Sequence, residues 1–146
     1  MSRHLTKSRF QLSLSCPTKL FYAGKPEYAN RSLEDSFLAS LAEGGFQVGA
    51  LAKCHYPEGV EVDALSAEEA LRRTRELMQR DEVTIFEAAF SHGSLLVRMD
   101  ILAKKGNHLQ LIEVKAKSFN PQSDSFYNKN GSIASGWRDY LCDVAF

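Results

Sequence analysis

Neither sign of charge predominates in this sequence: 18 lysines and arginines stand against 18 aspartates and glutamates, and the pI is near neutral. That removes any global electrostatic argument for a nucleic-acid partner, although a binding channel needs only local basic residues. Cysteine is scarce. Cys16, Cys54 and Cys142 are scattered, make no Cys-x-x-Cys pair and supply no disulfide framework, so the chain reads as reduced and cytoplasmic. No apolar run is long enough to span a bilayer, and the opening MSRHLTKSRF has no signal-peptide core, so no membrane partner is expected. Internal repeats and low-complexity segments are also missing. The 146 residues therefore read as one domain, 1–146, large enough for a single core.

What is present centres on residues 95–117, LLVRMDILAKKGNHLQLIEVKAK. Val97, Met99 and Ile101, then Ile112, Val114 and Ala116, alternate with the residues between them, which is the period of a strand. Gly106-Asn107 separates the two runs, and a glycine opening a two-residue loop predicts a type II′ hairpin turn. That turn sets the register. Asp100 should face Glu113, Arg98 should face Lys115 and Leu102 should face Leu111, while Val97, Met99 and Ile101 meet Ala116, Val114 and Ile112 on an apolar face expected to be core. Leu96, Leu102, Leu109 and Leu111 continue the charged face, so its ends are expected to be covered. Opposed carboxylates on neighbouring strands lie about 5 Å apart and repel, so something must compensate. Diagonal ion pairs, Asp100 with Lys115 and Arg98 with Glu113, are one solution; a divalent cation between Asp100 and Glu113 is the other.

The remaining elements follow from caps and stripes. Thr6 can cap a helix to about Ser15, and Cys16-Pro17 restarts the chain into KLFYAG. Ser32 is expected to open a helix with the stripe Leu33, Phe37, Leu38 and Leu41, ended by Gly44-Gly45, with a second short helix at 48–53. Residues 60–65 read as extended. Ser66 to Glu69 is a capping box, and Ala67, Ala70, Leu71, Thr74, Leu77 and Met78 form a helical stripe whose outer face should pair Glu68 with Arg72 and Glu69 with Arg73. Arg72, Arg73, Arg75 and Arg80 can touch phosphates or simply face solvent. Residues 83–90 read as a strand turning at His92-Gly93 into the hairpin, with Glu87 inside it. A carboxylate buried there alone would cost several kcal/mol, so Glu87 lies either beside the charged cluster or at an exposed edge. A polar loop follows Lys117, and a last helix is expected from Ser132, with Ile133, Trp137, Leu141 and Val144 on one side and no cap at its end.

Asp100, a turn, and then Glu113-Val114-Lys115 resemble the D…(D/E)xK signature of the PD-(D/E)XK nuclease superfamily. RMDILAKKGNHLQLIEVKAK resembles its RecB-like branch, which includes CRISPR-associated and AddB-type exonucleases. SLSCPTKLFYAG and GFQVGALAKCHYPEG resemble the Cys-Pro segment and the helix that precede the sheet in that branch. The resemblance covers nearly the whole chain and is nearest to an uncharacterised bacterial family of RecB-like domains found at the start of longer proteins.

The resemblance implies an α/β (α+β mixed sheet) class with a restriction-endonuclease-like core, a central hairpin sheet flanked by helices. It implies Mg²⁺- or Mn²⁺-dependent phosphodiester hydrolysis of nucleic acid, DNA above all. Asp100, Glu113 and the Val114 carbonyl would hold the metal, and Lys115 would orient water or phosphate. Glu87 and His55 are additional candidate ligands, although His55 departs from the family's register and reads as a loop residue. Arg98 and Lys117 are candidate nucleic-acid contacts. The alternatives are a catalytically inactive nuclease-fold module for nucleic-acid binding or protein interaction, and an unrelated α+β interaction domain. The Gln…Tyr helical motif that follows the Glu-x-Lys strand in the family has no counterpart here. The chain is therefore expected to be the N-terminal fragment of a longer protein, with the C-terminal remainder as a partner.

Some RecB-like nucleases carry an iron–sulfur cluster on four thiolates. Only Cys16 and Cys142 are suitably placed for one, so no cluster is expected. Anaerobically purified protein should be colourless; visible absorbance with stoichiometric iron and sulfide would contradict this.

Overall fold

The structure, a computed structural model, describes residues 4–28, 35–63 and 66–137. Strand β4 (Leu95–Lys105) and strand β5 (His108–Ile112) form the hairpin that the alternation requires. The pairs run from Lys105↔His108 to Ile101↔Ile112, with Leu102↔Leu111 among them, the register that a two-residue loop imposes. Gly106 has φ 56° and Asn107 is not at positive φ, which is the II′ pattern. Strand β3 (Glu82–His92) precedes β4 through a second loop of the same kind, Gly93-Ser94, with φ 57° at Gly93. Its ladder with β4 runs from His92↔Leu95 to Glu82↔Lys105.

Two short strands complete a five-stranded sheet. Strand β1 (Leu5–Thr6) lies parallel to the start of β4, and strand β2 (Val60–Glu61) lies parallel to β3 at Ile85 and Phe86. The architecture is a mixed α/β fold, a curled half-barrel sheet flanked by helices. No described helix is long and apolar enough to cross a membrane.

Helix α4 (Ala67–Leu77) begins where the capping box predicts, with the Ser66 hydroxyl accepting from Glu69 N at 3.1 Å. Its buried side, Ala70, Thr74 and Leu77, packs on Ile85, Ala88, Ala89 and Leu102 to make the main core. Thr74 is buried but satisfied, its hydroxyl accepting from Ala89 N at 2.9 Å. The outer face differs in detail from the expected pairing. Arg72 forks between Glu69 and Glu76, and Arg73 faces Glu76 rather than Glu69. Positions three and four apart are both within reach on a helix, and a guanidinium can serve two carboxylates at once.

At the amino end, helix α1 (Lys7–Ser15) is capped by Thr6 as expected, and helix α2 (Pro17–Tyr22) starts at the Cys16-Pro17 step. The segment read as two helices is instead one, α3 (Ser36–Lys53), capped by Asp35, which accepts from Phe37 N and Leu38 N. Gly44-Gly45 does not end it. A glycine pair inside a helix costs about 1 kcal/mol per residue relative to alanine but stops a helix only when the next turn cannot form. The expected start at Ser32 and Leu33 lies outside the described residues. The apolar stripe of α3 is not core: Phe37, Leu38 and Leu41 are exposed. Leu109 and Leu111 are exposed as well, because α4 packs on β3, two strands away from β5. The last helix, expected from Ser132, does not start there: Ile133 bridges to Tyr127, helical turns begin only at Ser135, Trp137 packs against Phe119 and Phe126, and the rest of the expected helix lies outside the described residues.

Gly59, in the turn before β2, shows how tightly the sheet's second face is closed. A Cβ there would lie 2.2 Å from the Phe86 ring, and Phe86 is itself buried. Gly59→Ala should cost about 1–3 kcal/mol in urea unfolding, the range for overpacking, with part of the loss recovered by Phe86→Leu in the same chain.

Candidate active site

The outer edge of β4 is shared by two strands. β1 covers it at Leu95 and Leu96, and β5 covers it from Ile101 onward. Residues 97–100 lie between the two ladders, and Asp100 is the last of them. On the other edge of β4, Phe86↔Ile101 and Ala88↔Met99 bracket Glu87 and Asp100 as the intervening opposite pair. Glu87 has φ 56°, the one non-glycine among the described residues at positive φ. Such a conformation in a strand costs on the order of 1–3 kcal/mol, and it re-aims the side chain.

The expected continuation of the β4–β5 ladder does not form. The rung Asp100↔Glu113 is replaced by a side-chain bond in which Val114 N donates to Asp100 Oδ2 at 2.7 Å. Glu113 turns instead to two ammonium groups, Lys7 Nζ at 2.5 Å and Lys115 Nζ at 2.7 Å. The rungs expected beyond it, Arg98 with Lys115, Met99 with Val114 and Val97 with Ala116, also lie past the last ladder pair. Like-charge repulsion disfavours the rung: with Glu87 opposite on β3, a second carboxylate on the other edge would add to the repulsion at Asp100. Breaking the rung lets Asp100 accept a charge-assisted bond from a backbone amide, a stronger contact than a neutral one. The apolar face consequently is core only at Ile101; Val97, Met99, Ile112 and Val114 are half-buried and Ala116 is exposed.

Asp100, Glu87, Val114 and Lys115 open on one cleft of about 640 Å³, roofed by the Ala42-to-Lys53 side of α3 and closed at one end by Glu61. Lys53 donates to Glu61 at 2.5 Å and its ammonium sits over the Phe86 ring. Glu113 borders the gap but not the cleft lining. His55 is exposed in the turn after α3, its amide donating to Ala52 O, and it does not line the cleft. Lys117 places its ammonium 4.8 Å from the centroid of the Trp137 ring, also outside the cleft lining. Arg98 is half-buried and partly offsets the charge of Glu87. Cys16 is half-buried between α1 and α2, and Cys142 lies outside the described residues.

Lys7, Lys53 and Glu61 are the charged neighbours that sequence reasoning missed. The Thr6 cap places Lys7 at the first position of α1, but nothing local ties it to Glu113, 106 residues away.

Burial pushes the Glu87 carboxyl above its usual range, and Asp100 and Glu61 add to the shift. Lys53 and Arg98 oppose it. The donors on offer are hard carboxylate oxygens, the chemistry that Mg²⁺ and Mn²⁺ take. Glu87, Asp100 and Val114 line the same cleft. The third carboxylate, Glu113, is held away by its two lysines. As the side chains stand, no three metal-ligating groups among the described residues are gathered around one point.

Comparison of the chain with protein-family models, with curated proteins and with solved structures returned no match. The site must be read from its own geometry.

A raised native pKa at Glu87 means that the folded chain binds more protons than the unfolded one. The stability it contributes is full below the ordinary glutamate value of about 4.3 and is lost as pH rises through the native value. In chelator, the melting temperature of Glu87→Gln should therefore gain on wild type progressively above about pH 4.3. A constant difference from acid to neutral pH would contradict the shift.

Proposed function

We propose that this chain is a divalent-metal-dependent phosphodiesterase domain acting on nucleic acid, DNA first, on a restriction-endonuclease-like core of the RecB-like type. One observation carries the reading: Asp100 and Glu87, from adjacent strands, share a single cleft with Lys115, the lysine of the Glu-x-Lys triplet. A carboxylate pair beside a lysine is what metal-assisted attack on a phosphodiester needs. The bound ion would stabilise charge on the phosphoryl oxygens and lower the pKa of a bound water.

The chain's own residues have separable tasks in this reading. Asp100 and Glu87 would hold the ion, with Glu113, paired to Lys7 and Lys115, as the further carboxylate that could join them. The Val114 amide holds the Asp100 carboxylate through Oδ2. Lys115 is a compact charge on a flexible stem, suited to orient a phosphate or the attacking water. Arg98 offsets the acidic pair. The uncovered side of the cleft beneath α3 is where a strand would lie, in the cytoplasmic setting the cysteines suggest.

A second reading has its own support. Glu113, held between Lys7 and Lys115, is arranged as a structural ion pair would be. A nuclease fold kept for nucleic-acid binding or protein interaction, without cleavage, accommodates that arrangement.

Metal titration separates the two. If the native state binds Mn²⁺, free metal at about 100 times Kd should stabilise it by about 2.7 kcal/mol, and Asp100→Asn should abolish the rise. Labelled single- and double-stranded DNA should be cut by wild type and left intact by Asp100→Asn. Lys115→Ala should keep metal binding while slowing cleavage at least a hundredfold, about 2.7 kcal/mol in transition-state terms. DNA retention with no metal-dependent melting shift in wild type would favour the second reading.

A further inference from the structure

The contact that keeps Glu113 out of the cleft is built by the fold. β1 runs parallel along β4 only as far as Thr6↔Leu96, and α1 begins at once with Lys7. The lysine is thereby delivered to the mouth of the gap at residues 97–100, from the side opposite to β5. The chain leaving β5 arrives at the same gap with Glu113, and the two groups meet at 2.5 Å. Both side chains are about four-fifths buried, at 21% and 18% exposure, so this pair is less screened than the surface pairs on α4. Lys115 adds a second ammonium to the same oxygen. Asp100 stands at the last position of the gap, tied to Val114, the residue next to Glu113.

We propose that Lys7 is a resident cation at Glu113, which a divalent ion must displace before the carboxylate can turn toward Asp100. The inference rests on the metal-dependent reading and adds to it an internal competitor. In the exchange one ammonium leaves Glu113 and one dication arrives, so the carboxylate gains the higher counter-charge, while the freed Lys7 remains tethered at the start of α1. There its ammonium would be available to an anionic group. Ion entry thus uncovers an anion-binding lysine, and metal and nucleic acid should each strengthen the other's binding, since such coupling is reciprocal.

The test is calorimetric titration of Mn²⁺ into wild type, Lys7→Gln and Lys7→Arg, without substrate. Lys7→Gln removes the competitor and should bind Mn²⁺ about tenfold more tightly, the scale of a charge-assisted bond. Lys7→Arg keeps a cation there and should stay within about twofold of wild type, and it also guards against a folding defect in the neutral variant. A Mg²⁺ titration followed by the Lys7 Cε–Hε signal, assigned by its loss in Lys7→Arg, reports the displacement itself. That signal should move with the same midpoint as the heat. Equal, measurable affinity in wild type and Lys7→Gln overturns the inference and leaves the metal-dependent reading standing. Tighter binding with an unmoved Lys7 signal also overturns it, because loss of a nearby charge alone would then explain the gain. If no form binds the ion, the metal-dependent reading fails and takes this inference with it.

Discussion

A carboxylate and a backbone amide meet where the β4–β5 ladder gives out, with Val114 N donating to Asp100 Oδ2. Continued pairing would have set Glu87, Asp100 and Glu113 abreast on three neighbouring strands, each about 5 Å from the next. Three like charges in one row would repel. The strand after Ile112 therefore leaves the ladder, and its first amides become free to serve side chains. The hydrogen bond to a charged group that replaces the rung contributes about 1.5–3 kcal/mol, more than a neutral one would. The separation of Glu113 from Asp100, the turn of Lys115 into the cleft and the open space beneath α3 all follow from that departure.

The charges around the gap balance almost residue for residue. Glu61 has Lys53, Glu113 has Lys7 and Lys115, and Glu87 is offset by Lys53 and Arg98. Asp100 accepts from the Val114 backbone amide. A cluster arranged in this way is stable without an ion yet rich in groups that an ion would prefer. Its carboxylates are only partly desolvated.

Features governed by neighbours in the chain were legible in the sequence. The II′ turn at Gly106-Asn107 fixed the hairpin register because loop length leaves only one choice, and Ser66 placed the start of α4 because a cap acts within one turn. Asp100 and Lys115 line one cleft although the ladder expected to set their register ends at Ile112. The unread features depend on distant partners. Whether the rung at Asp100 closes is decided by Glu87 on the far side of β4, and by Lys7, delivered by a two-residue parallel strand with no periodic signal. The passage of α3 through Gly44-Gly45 was illegible for a different reason. A glycine pair carries the same local signal at a helix end as inside one, and the turns after it make the difference.

The two glycine-led loops make β3, β4 and β5 a meander of strands adjacent in sequence. Such pairings close short loops and form early, whereas a contact between chain segments far apart waits for a large loop to close. The docking of β1 and the Lys7–Glu113 contact, 106 residues apart, belong to that late class. The amino-terminal arm is thus a clasp fastened last onto a sheet that already exists. It can open without dissolving what lies beneath, in the manner of a local unfolding unit. The segment that adds β1 to the sheet also brings Lys7 to Glu113.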